Sequence, residues 1–164
     1  MDISHTTQVY KLTENDVDVI IPNLWLGNTI AAMDEKFIRQ NNIKYILNIT
    51  ENIPCPFLDI TYYHVPIKDK HMCEEKSRNV MLHYIDNSVN FIHKGLCEGV
   101  GVLVHCKRGH HRSSGIVVAF LMKYMNIGFL PACIYIKNIR PFALDRKTCT
   151  NKWNIEYYKK NLNL

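Results

Sequence analysis

The sequence predicts an α/β domain: a mixed, mostly parallel sheet of about five strands flanked by helices on both faces. Two observations carry that expectation. Short apolar runs alternate along the chain with segments whose apolar residues recur at spacings of three and four, which is how strands interleaved with helices read. The length of 164 residues, 47% hydrophobic and 21% charged, suffices for one well-buried core and is too short for two ordinary domains.

Residues 1–15 are polar and are expected to form a flexible lead into a single domain over 16–164. "VDVIIPNLWLG" (Val17 to Gly27) reads as two short strands broken at Pro22-Asn23. A helical pattern follows in "TIAAMDEKFIRQNN", and "KYILNIT" (Lys44 to Thr50) is nearly continuous in apolar residues, as a strand covered on both faces should be. "DITYYHVP" (Asp59 to Pro66) is a further strand, stopped by its proline. From Arg78 to His93, Met81, Tyr84, Ile85, Val89 and Ile92 give one apolar helix face. "GVGVLVH" (Gly99 to His105) has the β-branched richness of a central strand. Ser114 to Tyr124 is apolar nearly all round and predicts a buried helix. Pro131 to Ile139, stopped by Pro141, and Asn151 to Lys160 are the remaining helical patterns.

Composition narrows the function classes. The N-terminus lacks the basic start and apolar stretch of a secretory signal, and the longest apolar run, Gly115 to Met122, is far short of a membrane span. The expectation is a soluble cytoplasmic protein. Six cysteines, Cys55, Cys73, Cys97, Cys106, Cys133 and Cys149, show neither Cys-x-x-Cys pairs nor regular spacing, so no zinc ribbon or disulfide framework is indicated. A net charge of +5 favours acidic partners only mildly and predicts no specific nucleic-acid binding. The Asn48-Ile49-Thr50 sequon falls in a strand expected to be buried and should be silent.

The chemistry concentrates in "VHCKRGHHRSSG", Val104 to Gly115, which joins the expected central strand to the expected buried helix. A helix N-terminus presents unpaired N–H groups at the positive end of its dipole, and a tight loop ahead of it adds more, so the place suits a tetrahedral anion. Gly109 lets the backbone wrap closely. Arg112 offers a planar fork that holds two phosphate oxygens at once. Cys106, at the base of this positive cup, should favour its thiolate, the nucleophilic form. His105, Cys106, His110 and His111 also admit reading as a zinc site, but four ligands within seven consecutive residues of a tight turn rarely converge on one tetrahedron. No metal or cofactor is expected.

The spacing His-Cys-x-x-Gly-x-x-Arg-Ser resembles the signature loop of the cysteine-dependent protein tyrosine phosphatase superfamily. "IIPNLWLGNTIAAMD", "IKYILNIT", "YYHVPIKD" and "YIDNSVNFIHKG" are similar, in order, to further segments of its compact dual-specificity members, atypical and viral ones included. The likeness runs from about Val17 to Pro141. It implies that Cys106 attacks phosphorus to form a phosphocysteine, and that Arg112 and the loop from Lys107 through Arg108, Gly109, His110 and His111 bind the phosphate. Ser113 would then ease departure of the sulfur, and His105 would orient the loop. Asp69, after the strand-ending Val-Pro-Ile, is the implied general acid, with Glu74 and Glu75 close by as substitutes; the alternative to a catalytic role is a loop aspartate that caps a turn. Arg140 reads as a helix terminator.

Lys107, Arg108, His110 and His111 exceed what such a loop requires, since many dual-specificity members carry small or polar residues there. They resemble an atypical subgroup whose loop reads Cys-Lys-Arg-Gly-Lys-His-Arg and which cleaves inositol pyrophosphates. The resemblance to the dual-specificity family as a whole implies a phosphorylated protein as the partner, and only the loop's excess charge points elsewhere. The alternative is a polyphosphorylated small molecule (inositol polyphosphate, phosphoinositide) or an RNA 5′-triphosphate, and a weaker one is a non-catalytic phosphate-binding module. Oligomeric state is not legible.

Overall fold

The computed structural model describes residues 15–68 and 75–145. They form a five-stranded sheet in the order β1-β2-β5-β3-β4, antiparallel only between β1 (Val17–Ile21) and β2 (Leu24–Gly27). The strands β3 (Ile43–Asn48), β4 (Thr61–His64) and β5 (Gly101–His105) run parallel to one another and to β2. Pro22-Asn23 makes the β1–β2 turn: proline sets its own φ, and Asn23 takes the left-handed conformation, φ 65°, that asparagine tolerates. Helices cover both faces, as the alternating pattern predicts.

The pattern in "TIAAMDEKFIRQNN" divides into two helices, α1 (Thr29–Met33) and α2 (Glu35–Gln40). Asp34 separates them because its carboxylate accepts the Phe37 N–H at 3.0 Å and so starts a new helix. These helices pack on one face of the sheet, where Ala32 and Ile38 meet Ile43, Ile46 and Leu103. The opposite face carries α3 (Glu75–Cys97), α4 (Arg112–Met125) and α5 (Phe129–Ile139). There Ile85, Val89 and Ile92 of α3 pack with Tyr45, Leu47, Val102 and Val104 and with the apolar residues of α4.

Two elements expected to be central are so. Every residue of β5 is buried, and so is every residue of α4 from Arg112 to Met122. Each fully buried Val, Leu or Ile there contributes about 1.5–3 kcal/mol through removal from water, which fixes β5 and α4 as rigid supports. α3 is longer than its apolar face suggested, reaching past His93 to Cys97. Asn48, the sequon asparagine, is fully buried, and its amide donates to the Ile53 carbonyl at 2.9 Å. The helical pattern over 151–160 lies outside the described residues. Among the described residues no helix is long and apolar enough to cross a membrane.

Candidate active site

β5 lies between β2 and β3, and the register aligns His105 with Gly27 on one side and Asn48 on the other, so three parallel strands end level. A crevice forms beyond the carboxyl ends of such strands. Residues 106–111 cross it and feed directly into α4. His111 occupies the helix N-cap without a side-chain cap to the helix. The loop is compact because Gly109 adopts φ 72° and lies against β2: a Cβ there would sit 2.5 Å from the Gly27 carbonyl oxygen.

Cys106 is 3% exposed at the floor of the loop. Its Sγ accepts the Gly109 N–H and the Ser113 hydroxyl, each at 3.2 Å. Burial pushes the thiol up, but the Arg112 charge and the hydrogen bonds from Ser113 and Gly109 outweigh it, and the net pKa lies below the ordinary thiol value. A buried sulfur is thus held toward its nucleophilic form. Arg112, 5% exposed, donates from Nη1 to the Ile67 carbonyl at 2.7 Å, which ties the segment after β4 to the loop.

His105 is buried at the end of β5. Desolvation, with the Arg112 charge nearby, pulls its pKa down to about 4 against a weaker pull from the Cys106 backbone. Its ring is therefore neutral near pH 7. Lys107 and Arg108 are exposed, whereas His110 and His111 are half-buried, and the His110 ring lies 6.0 Å from that of Phe142. The structure brings together Cys106, Gly109, Arg112 and Ser113 on the floor and puts the excess cations at the rim. Asp69 and Glu74 lie outside the described residues, and Glu75 is the first residue of α3. Among the described residues no three His, Cys, Asp or Glu side chains gather as metal ligands.

Sequence reasoning missed the back of the loop. Arg140 does end α5, as expected, but its fully buried side chain also runs beneath the loop, with Nε 2.9 Å from the Gly109 carbonyl oxygen and Nη2 3.1 Å from that of Arg108. Its sequence signal, a cation before a proline, is equally well explained by helix termination.

This geometry defines an α/β domain with a buried cysteine, its thiol shifted toward the thiolate, set in a tight loop between the carboxyl end of a central strand and a helix N-terminus. The family model for the dual specificity phosphatase catalytic domain matches residues 24–158, and the chain belongs to that family of cysteine-dependent phosphatases. It is 36% identical over 124 residues to human dual specificity protein phosphatase 16, covering 74% of this chain, and spans only 18% of that relative's length. With dual specificity protein phosphatase 22-B of Danio rerio it shares 33% over 129 residues, 79% of this chain and 67% of the relative. The crystal structure of DUSP15 superposes with a TM-score of 0.73 at 27% identity over 90% of this chain and 94% of that one. Human DUSP28, at 20% identity, shares the fold with a TM-score of 0.81 over 93% of this chain and 98% of its own.

Proposed function

We propose that the protein hydrolyses phosphotyrosine and phosphoserine or phosphothreonine esters of proteins through a phosphocysteine intermediate. The observation that carries the reading is Cys106: a buried thiol shifted toward thiolate by Arg112, Ser113 and Gly109, with the Gly109 N–H and the Ser113 hydroxyl on its sulfur. The Cys106 sulfur attacks phosphorus, forming a P–S bond as the P–O ester bond breaks. The departing oxygen takes the proton of Asp69. Water then attacks phosphorus and gives a proton to the Asp69 carboxylate, the P–S bond breaks, and the sulfur leaves as a thiolate eased by the Ser113 hydroxyl. Inorganic phosphate departs. Arg112 and the loop N–H groups stabilise the equatorial oxygens throughout. The Arg112 bond to Ile67, two residues before Asp69, supports the assignment of the acid to that segment.

A second reading keeps this chemistry but takes a polyphosphorylated substrate. Its support is that Lys107 and Arg108 are exposed and pair with no carboxylate among the described residues, leaving both charges open to a ligand. An intracellular, reducing setting belongs to the same proposal, since Cys55 and Cys97 are exposed free thiols. The test is phosphate release by the native protein and its Cys106→Ser variant from a phosphotyrosine peptide, a phosphothreonine peptide and an inositol polyphosphate. The leading reading requires native-only turnover with the peptides fastest. Preference for the inositol compound selects the second, and equal release by both proteins overturns the mechanism.

A further inference from the structure

A loop that binds an anion through backbone N–H groups must turn its carbonyls the other way, and each of those carbonyls needs a partner. In a planar trans peptide the C=O of one residue and the N–H of the next point in opposite directions. Holding a carbonyl outward therefore aims the following N–H inward. The structure shows where four successive loop carbonyls are held. Lys107 O accepts from the Thr29 backbone N–H at 3.3 Å and the Thr29 hydroxyl at 3.2 Å. Arg108 O accepts from Arg140 Nη2 and Gly109 O from Arg140 Nε, and Gly109 O also takes the Ser114 hydroxyl at 3.2 Å. His110 O accepts the Leu144 N–H at 2.8 Å. By the peptide geometry the N–H groups of Arg108, Gly109, His110 and His111 point into the cradle, and the Gly109 N–H is seen there on the Cys106 sulfur.

Arg140 is the hub of this outer wall. It is 1% exposed, so its charge is tolerable only if paired. The pairing comes from the other end of the chain: Nη1 donates to Asp18 Oδ2 at 2.6 Å and to the Asn15 carbonyl at 2.9 Å. One planar side chain thus fixes the edge strand β1 relative to the two central peptides of the loop. Gly109 completes the fit, because a Cβ at that position would lie 2.8 Å from Arg140 Nη2.

We infer that Arg140, locked by Asp18, is a positioning residue that aims the phosphate-binding N–H groups of the loop while touching neither the substrate nor the nucleophile. This role rests on the proposed phosphatase reading for its purpose, but it predicts effects on anion binding and on the thiol that need no turnover. In the full chain, tungstate serves as an inert tetrahedral probe, and the pH dependence of Cys106 alkylation by iodoacetamide reports the thiolate. Arg140→Met should weaken tungstate binding about ten- to a hundredfold, the size expected when hydrogen bonds to a charged group lose their alignment. It should also move the alkylation midpoint to higher pH, since misdirected N–H groups no longer stabilise the thiolate. Arg140→Lys, which keeps the cation but one donor head instead of a fork, should restore part of both. Asp18→Asn should shift both in the same direction by a smaller amount.

A melting temperature that falls while tungstate affinity and the alkylation midpoint stay native in the folded Arg140→Lys and Asp18→Asn variants would make Arg140 a stabilising residue only and overturn the inference. Should the native protein release no phosphate from any ester, the phosphatase reading fails, and the same two measurements still decide whether Arg140 shapes the cradle.

Discussion

The floor and the rim of the loop are built on opposite principles. Cys106, Gly109, Arg112 and Ser113 are all buried, and each interaction there acts in a medium that screens little. Lys107 and Arg108 stand in solvent, where a charge is largely screened beyond about 8 Å at physiological salt. In the proposed mechanism bond making belongs to the floor, and in its polyphosphate variant substrate selection belongs to the rim. Losses at the floor should therefore appear as orders of magnitude in kcat. Losses at the rim should appear as small changes in KM that depend on salt.

The largest loss at the floor is expected from Cys106→Ser. A serine hydroxyl in the same place is a far weaker nucleophile, and kcat should fall by at least about 10⁴-fold. Phosphate analogues should still bind, because Arg112 and the loop N–H groups remain. Burst kinetics on an aryl phosphate with the native enzyme should show one equivalent of phenol released per Cys106. Arg112→Lys comes next. Lysine keeps the charge but cannot hold two equatorial oxygens in one plane, so kcat/KM should drop by about 10²–10³-fold, mostly through kcat.

A pH titration of stability sharpens the comparison from the floor's other side. His105 is pulled from the ordinary histidine value of 6.5 to about 4. Between those values the unfolded chain binds a proton that the folded protein refuses, so stability rises with pH across the window and is lost as pH falls through it. The gap corresponds to about 3 kcal/mol. Thermal melts of the native protein from pH 7 down to pH 4 should fall steeply, and His105→Gln should flatten that slope. An unchanged slope would place the acid sensitivity elsewhere.

The two regions also differ in how far the sequence exposed them. Strands and helices whose residues make neighbouring contacts were legible: the unbroken apolar run of β5 and the all-round apolar α4 announced a buried strand and helix. The floor was legible for the same reason, since Cys106, Gly109, Arg112 and Ser113 lie within eight residues of one another. The division of "TIAAMDEKFIRQNN" was not, because it turns on one hydrogen bond from the Phe37 N–H to the Asp34 carboxylate. Arg140 was hidden by distance: its partners Asp18 and Asn15 lie more than a hundred residues earlier in the chain. No local pattern records that such segments meet beneath the loop. The loop's basic side chains could be counted in sequence, but not their division into exposed Lys107 and Arg108 and half-buried His110 and His111.

The smallest expected effect is the most informative about substrate. An exposed ion contact contributes roughly 0.2–1 kcal/mol, so Lys107→Ala or Arg108→Ala should raise KM for a singly phosphorylated peptide by no more than about fivefold and leave kcat near native. For a substrate bearing several phosphates the same charges act on more than one anion at once. The loss should then be larger, and the native enzyme's kcat/KM should decline more steeply as salt is raised from low to physiological concentration. A hundredfold fall in kcat on the peptide in either alanine variant would mean that an exposed cation takes part in the transition state, and floor and rim would no longer divide the work. The division holds if the salt dependence of the polyphosphate reaction weakens in Lys107→Ala while that of the peptide reaction does not, because selection and bond breaking would then be separable by ionic strength alone.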